Sequence, residues 1–395
     1  MPTVGVICMV SVAKERETNS VGQLIAFGGV SFLILFNAVA LWSTRALILS
    51  GANDFRPYYG TALMIRRGDR ARIYQDDAQH EIQRELLPLV EPSQLPFNHP
   101  AYEALLFIPL TYLPYNLASI VWTILNLGLL VVIGRLLFRQ YKNYSVVLIL
   151  LSFAPITFTL ILGQDSILLL LIFVLALRLE SSGRQAKAGV LLGLGLFRFH
   201  LLVPFLFIIV LRRQWRLVGA FLAMAILLLI VSAVIGSPSE YLSLIISQSL
   251  HSDDPRFVHV HLISNMPTIH GLLFFLFRSL VPNSIIGIAG IICSIFLLSW
   301  IGLRRTSSVL GVPPTLLASH YLYAYDLTLL VLPICEYLVK APSKRRMIPI
   351  VLITALPVYL VLGLFSAVSL MALPVIALVF QPVRQPQGLP LVDHN

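Results

Sequence analysis

The stretch VGQLIAFGGVSFLILFNAVALW, residues 21–42, carries no charged side chain and is almost entirely apolar. A helix needs about 20 apolar residues to cross the hydrocarbon core of a bilayer, so this stretch predicts a transmembrane helix. More apolar runs follow along the chain of 395 residues, which is 57% hydrophobic and 12% charged, with a mean hydropathy of +0.86. Soluble domains are about 25% charged. The composition therefore predicts an all-α polytopic membrane protein.

The ends of the chain suggest one membrane domain between two short tails. Residues 21–42 are too long for the core of a signal peptide and lack a clear cleavage site, so we expect a retained signal anchor. We expect a cytoplasmic tail over residues 1–20, a single integral membrane domain over residues 21–380, and a C-terminal tail over residues 381–395. Two of the three cysteines, Cys293 and Cys335, fall in predicted spans, and no disulfide framework is visible.

The charge pattern predicts an orientation. The net charge is +10, and most basic residues outside residues 51–98 fall in clusters at 135–142, 178–187, 212–216, 304–305 and 340–346. Basic residues collect in cytoplasmic loops of membrane proteins, so this charge gives no reason to expect a nucleic-acid partner. Residues 51–98 and 236–282 are not basic, with six arginines against seven acids and two against three. We expect these two segments to be long extracytoplasmic loops, and both termini to be cytoplasmic.

Two intervals between basic clusters are too short for a pair of full-length spans. A single span between residues 187 and 212 would place one basic cluster outside, so we expect two short helices that dip in and return. FRFH, residues 197–200, would form the tip, and ASHYLYAYD, residues 318–326, would form the turn of a second such hairpin. With single spans at residues 21–42, 117–137, 145–162, 165–179, 217–235, 284–303, 347–362 and 365–380, the total is about twelve transmembrane helices.

The first outer loop contains two predicted elements. DDAQHEIQRELLPLV, residues 76–90, predicts an amphipathic helix because Ile82, Leu86 and Leu89 share one face at helical spacing. We expect this face to lie on the membrane surface. Residues 99–114 are apolar but short and edged with prolines, which predicts a partly inserted element.

Polar side chains gather at the predicted outer ends of the spans and at both hairpin tips, which predicts one site on that side of the membrane. Helix capping is the competing interpretation for three of these residues. Asp54, Asp165 and Asp326 all lie at helix starts, where carboxylates accept hydrogen bonds from backbone N–H groups. Arg198 at a hairpin tip must face water, a partner or a ligand phosphate, because burying its charge in lipid is costly. The histidines of residues 251–261 form no clean set of metal ligands, so we expect no metal there.

Five motifs in order resemble glycosyltransferase family 87. They are DFRPYYGTAL at residues 54–63, NHPAYEALLFIPLTYLP at 98–114, LGQDS at 162–166, FRFH at 197–200 and SHYLYAYD at 319–326. The resemblance covers about residues 23–340. It implies a fold of the GT-C class and a polyprenyl-phosphate-sugar-dependent enzyme similar to bacterial mannosyltransferases.

The resemblance also implies roles for individual residues. Asp54 would be the general base of an inverting transfer of a hexose, with mannose expected, from a polyprenyl-phosphate-linked donor to a lipid or glycan acceptor. Arg198 and His320 would bind the donor phosphate. Sugar or acceptor contacts are expected from Tyr58, Tyr59, His99, Gln164, Asp165, Tyr325 and Asp326. No metal or cofactor is implied, and the expected location is a bacterial-type plasma membrane with the site on its extracytoplasmic face.

Two other classes remain open. A transporter or lipid flippase would place ionisable residues near the bilayer midplane and often shows inverted repeats. No internal repeat is visible, and Glu336 is the only acid well inside a predicted span, with Lys340 as its expected partner. A non-catalytic subunit of an envelope assembly is the third interpretation.

Overall fold

The computed structural model of the chain describes residues 27–90, 97–250, 263–304, 307–340 and 344–380. Within these ranges every regular element is a helix, so the prediction of an all-α protein is confirmed. The predicted tails and the histidines of residues 251–261 lie outside the described residues.

The described residues contain the following α-helices in chain order. The first half of the chain contains α1 (Phe27–Ser43), α2 (Arg45–Ser50), α3 (Phe55–Arg67), α4 (Asp76–Leu86), α5 (Ala101–Phe107), α6 (Tyr115–Tyr141), α7 (Ser145–Ser152), α8 (Ala154–Leu162), α9 (Ser166–Ser181) and α10 (Gln185–Leu194). The second half contains α11 (Phe199–Leu211), α12 (Trp215–Ile235), α13 (Pro238–Leu250), α14 (Ile269–Phe277), α15 (Asn283–Leu303), α16 (Val312–Ala318), α17 (Val331–Lys340), α18 (Lys344–Thr354), α19 (Leu356–Leu364) and α20 (Ala372–Phe380).

Several helices are long and apolar enough to cross a membrane. By length and composition there are four among the described residues, and up to seven if each of three bent pairs counts as one span. Two of the bends follow from proline. α7 and α8 meet at 49°, and α18 and α19 meet at 67°, with Pro155 and Pro357 in the first turns of α8 and α19. Proline has no backbone N–H and clashes with the preceding turn, so a continuous helix is broken there.

The contacts of residues 185–211 fit a reversal of the chain at the place predicted for the first hairpin. Residues 185–211 form a continuous helical path with a 3-10 stretch at Gly195–Arg198. Gln214, just after α11, donates a hydrogen bond to Glu180 near the start of α10 (Nε2 to Oε1, 2.7 Å). α12 then runs parallel to α10, because Gly189 contacts Leu217 and Gly193 contacts Met224. The chain therefore reverses at Gly195–Arg198, and hydropathy alone would count these two short helices as one span.

Contacts on both sides of residues 318–326 fit a reversal of the chain at the second predicted hairpin. Ser308, before α16, donates a hydrogen bond to Glu180 (2.6 Å), and Glu336 in α17 accepts one from Tyr141 (2.9 Å). Asp326, between these two helices, instead accepts a hydrogen bond from Ser166 at the start of α9 (3.3 Å). We call the end of the bundle that holds Asp326 and Ser166 the site end, and the end that holds Tyr141 and Glu180 the opposite end.

A second layer covers the site end. The bundle core is one large hydrophobic cluster, and a separate cluster joins α3, α4, α5 and the start of α6. The predicted helix α4 is present, but the expected position of its apolar face is wrong. Ile82 is buried against Gly60 of α3, while Leu89, beyond the end of the helix, is fully exposed. The apolar periodicity indicated a face that needs burial, and the burial comes from α3 rather than from a membrane surface.

Candidate active site

The loop after α2 places Asp54 beside the turn between α8 and α9. The Asp54 N–H donates to the carbonyl of Leu162 (3.0 Å), and Asn53 Nδ2 donates to the carbonyl of Ile161 (2.8 Å). Asp54 occupies the N-cap position of α3, yet its side chain makes no capping hydrogen bond. Its Oδ2 instead accepts a hydrogen bond from Gln164 Nε2 at 2.7 Å. The half-buried carboxylate is thus directed toward the bundle rather than toward its own helix.

The α8–α9 turn owes its shape to a glycine. Gly163 has φ +67°, and a Cβ at this position would come within 2.9 Å of Asn53 Oδ1. A left-handed conformation with no room for a side chain favours glycine. Trp122 Nε1 donates to the Gly163 carbonyl (2.9 Å) and fixes the turn against α6. The next two side chains, Gln164 and Asp165, are consequently held at the site end.

Arg198 lies at the hairpin tip and is buried. Its Nε donates to Asp165 Oδ1 at 2.8 Å, and its Nη2 donates to both Asp165 and Gln164. Its Nη1 lies 3.7 Å from Asp326 Oδ1, which is longer than a hydrogen bond, and makes no other polar contact with the described residues. The guanidinium also lies over the ring of Tyr325, 5.3 Å from its centroid.

The two aspartates that contact Arg198 differ in their other roles. Asp165 makes no capping hydrogen bond to α9, so the competing structural role is not observed. Asp326 does cap a helix start, because its Oδ2 accepts from the Tyr323 N–H at 3.1 Å. Burial raises the pKa of the Asp326 carboxyl to about 6, against the lowering effect of Arg198.

Tyr58 connects this group to His99 and Glu103. The Tyr58 hydroxyl donates to Gln164 Oε1 (2.9 Å) and lies 3.3 Å from His99 Nε2. The other nitrogen of that ring, Nδ1, lies 2.6 Å from Glu103 Oε2. Burial lowers the pKa of His99 to about 3, so the imidazole is neutral, and burial raises the pKa of Glu103. Glu103 was not among the predicted site residues, although its spacing of four residues from His99 was a signal for it in the sequence.

Two predicted site residues make no contact with this group. Tyr59 donates its hydroxyl to the carbonyl of Leu113 (2.9 Å) and packs against Tyr115, so it belongs to the outer hydrophobic cluster. The exposed His320 stacks on His270, with ring centroids 5.3 Å apart, rather than contacting Arg198. The expected proximity of His320 to Asp54 therefore has no direct contact to support it.

A row of aromatic rings runs along the second hairpin, and of its three tyrosines only Tyr325 was predicted as a site residue. Tyr321, Tyr323 and Tyr325 contact one another in sequence, and Tyr321 also contacts His200 (centroids 5.7 Å). Alternation of tyrosines over residues 321–325 was the sequence signal for this row. It extends from Arg198 toward the periphery, and the half-buried rings offer apolar faces beside the charged cluster.

These features are those of an integral membrane protein in which acids, an arginine and tyrosines form a buried cluster at one end of a helical bundle. The family model "Glycosyltransferase family 87" matches residues 97–333, which is more than half of the chain. The chain belongs to glycosyltransferase family 87, as the five motifs indicated. Arg198 and the residues around it lie inside the matched region, whereas Asp54 and Tyr58 lie before it.

Two curated relatives are similar to part of this chain. An alpha-(1->3)-arabinofuranosyltransferase of Mycobacterium tuberculosis, found in two strains, is 31% identical over 175 residues. This region is 42% of the present chain and 37% of the relative. The chain thus matches little more than a third of that protein's length. No solved structure matches the chain significantly.

Proposed function

We propose that this protein is a membrane glycosyltransferase that moves a hexose, with mannose as the first candidate, from a polyprenyl-phosphate-linked donor to a lipid or glycan acceptor. The family assignment supports the reaction class. The observation that carries the mechanism is the position of Asp54, which is held by Gln164 instead of capping its helix. The arabinofuranosyl activity in the name of the relative makes arabinofuranose the second candidate sugar.

In the proposed reaction Asp54 is the general base. Its Oδ1 makes no hydrogen bond with the described residues, so this oxygen is available to an acceptor hydroxyl. As the acceptor oxygen attacks the anomeric carbon, its proton passes to Asp54. The bond from the anomeric carbon to the phosphate oxygen breaks on the opposite face, which inverts the configuration. A positioned general base contributes typically about 10²- to 10⁴-fold to a rate.

The leaving lipid phosphate is an anion and needs hydrogen-bond donors aimed at its charge. The Nη1 group of Arg198 is the available donor of a side chain whose other nitrogens are engaged by Asp165 and Gln164. His320 is proposed as a second donor, with its partner His270 beside it. Tyr58, His99, Gln164, Asp165, Tyr325 and Asp326 remain the proposed sugar or acceptor contacts.

The proposed membrane arrangement has twelve helices, counting both hairpins, with the site end on the extracytoplasmic side. The acidic cluster lies where helices begin and end, between the α8–α9 turn and the hairpin tip. Transporters instead build their sites near the bilayer midplane from discontinuous helices. The position of the cluster therefore favours a transferase over the alternative of a transporter or flippase.

The test is an Asp54→Asn variant, assayed in membranes with a radiolabelled polyprenyl-phosphate mannose donor and a parallel arabinofuranosyl donor. We expect transfer to fall by about 100-fold or more, because the amide cannot accept the proton. Asp76→Asn is the matched control, since Asp76 is an exposed acid of the same segment and should retain activity. Asp54→Asn activity within a few-fold of the wild type would eliminate the general-base role.

A further inference from the structure

His99, Glu103 and Asp165 approach one another from three places in the chain. His99 precedes α5, Glu103 lies within it, and Asp165 belongs to the α8–α9 turn. One ligand atom from each of the three residues lies within 4.8 Å of the other two. A nitrogen and two carboxylate groups at this separation are a donor set that Zn²⁺ and Mn²⁺ accept.

The atoms that face this point lie close to one another but receive no hydrogen bond from a separate donor group. Both carboxylate oxygens of Glu103, Nδ1 of His99 and Oδ2 of Asp165 are buried without a hydrogen bond of acceptable geometry. Glu103 has no exposed surface at all, and Asp165 is 1% exposed. A buried polar atom without a partner is costly, and a buried carboxylate more so. These four atoms therefore indicate that a proton or a cation lies between them.

The tautomer of His99 follows from Tyr58. Because the Tyr58 hydroxyl donates its proton to Gln164 Oε1, its oxygen is left to accept from His99 Nε2. Nε2 then carries the imidazole proton, and Nδ1 presents a lone pair to Glu103 Oε2 at 2.6 Å. Two lone pairs at that distance repel unless a proton or a cation lies between them. Histidine ligands of metals commonly donate their second ring N–H to a neighbouring group in this way.

The charge of the cluster has the same implication. Asp54, Glu103, Asp165 and Asp326 are four carboxylates, whereas Arg56 and Arg198 are the two guanidiniums that act on them. The four carboxylates outnumber the two guanidiniums by two, and a divalent cation supplies the two positive charges that would let all four ionise in a buried place.

We propose that His99 Nδ1, Glu103 and Asp165 Oδ2 bind one divalent cation, Zn²⁺ or Mn²⁺, that ties the start of α5 to the α8–α9 turn. Ligand atoms about 2.1 Å from a cation are about 3 Å or more apart, so the His99–Glu103 contact would open by a few tenths of an ångström. Asp165 adjoins Gln164, which holds Asp54, so the cation would fix the position of the base without touching it. The proposal concerns binding and stability, and it stands whether or not the proposed sugar transfer is correct.

The experiment measures metal in the purified full-length protein by mass spectrometry, followed by chelation and return of Zn²⁺ or Mn²⁺ alone. We expect one cation per chain, a lower melting temperature after chelation, and recovery on return of the metal. Glu103→Gln should lower the affinity for the cation by at least 10-fold, whereas Glu81→Gln, an exposed acid in the outer layer, should leave it unchanged.

The alternative is a proton shared between Glu103 and its neighbours. In that case the wild type contains no stoichiometric metal, neither ion raises its melting temperature, and Glu103→Gln is as stable as the wild type because the amide mimics a neutral acid. That result would overturn the proposal, as would equal metal binding by Glu103→Gln. If Glu103→Gln fails to fold, titration of the chelated wild type with each ion decides the question alone.

Discussion

The side-chain amide of Gln164 joins the two halves of the candidate active site. Its Oε1 accepts hydrogen bonds from Tyr58 and Arg198, and its Nε2 donates to Asp54. These contacts fix which end of the amide is which. The family resemblance implied a sugar contact for Gln164, and the sequence shows none of the partners that this side chain has in the folded chain. In the folded chain three of its hydrogen bonds are made to other members of the site, and the second hydrogen of Nε2 has no partner among the described residues.

Gln164→Glu tests this bridging role. A carboxylate beside Asp54 replaces a donor by a like charge, and a like charge favours protonation of its neighbour. We expect at least about a 10-fold loss of transfer at neutral pH and a shift of the acidic limb of the pH–rate profile to higher pH. Gln214→Glu is the control, since it places a carboxylate beside Glu180 at the opposite end. An unshifted profile in Gln164→Glu would contradict the role.

The ion pair of Arg198 with Asp165 is buried, and the ion pair of Arg67 with Glu85 is an exposed pair with which its stability can be compared. Arg198 and Asp165 are almost completely buried, whereas the pair of Arg67 and Glu85 is about half exposed on both sides. Removing one member of a buried pair typically costs about 3–5 kcal/mol, and exposed pairs contribute about 0–1 kcal/mol. We therefore expect Arg198→Gln to lower the free energy of unfolding far more than Arg67→Gln, measured in detergent. Equal losses would show that Asp165 and Asp326 are compensated by another group.

Among the elements, the two short hairpins were predictable because the basic clusters on either side constrained them. Pro155 and Pro357 mark the first turns of α8 and α19, but proline alone did not predict these breaks, since Pro204 and Pro349 lie inside α11 and α18. The packing of α4 against α3 could not have been predicted from the sequence. Periodicity shows which face of a helix is apolar, but it does not show that Gly60 of α3 leaves room for Ile82. Glu103 was missed for the same reason, because its partners come from distant segments.

The glycines of α10 permit the first hairpin to pack against α12. A Cβ on Gly189 would lie 2.2 Å from the carbonyl oxygen of Leu217, so the backbone itself would have to move. We expect Gly189→Ala to destabilise the protein by about 1–3 kcal/mol, the usual cost of overpacking. Gly219→Ala in α12 is the control, since nothing lies within 4 Å and alanine is the better helix former. The check is thermal unfolding of both variants, and equal stability would contradict the close packing.

In the molecule as a whole, two groups of polar contacts lie at opposite ends of the helical bundle. The acids around Arg198 gather at the site end. The opposite end holds a network in which Glu180 accepts hydrogen bonds from Gln214 and Ser308. The basic residues flanking α9 and α11 lie at this opposite end, which agrees with the cytoplasmic position that their clustering predicts. The sequence could indicate this polarity because charge asymmetry needs no tertiary contacts to be visible.

A reporter that is active only outside the cytoplasm tests the arrangement directly. Because Glu180 and Gln214 are in contact, fusions at residues 183 and 213 should behave alike, and both should be inactive. Fusions within residues 51–90 or after residue 237 should be active, since those positions belong to the site end. If Gln185–Leu211 crossed the membrane once, the reporters at 183 and 213 would differ. Such a difference would place the Arg198 tip inside the bilayer, where an uncompensated arginine is costly, and would remove the shared outer location of the site residues.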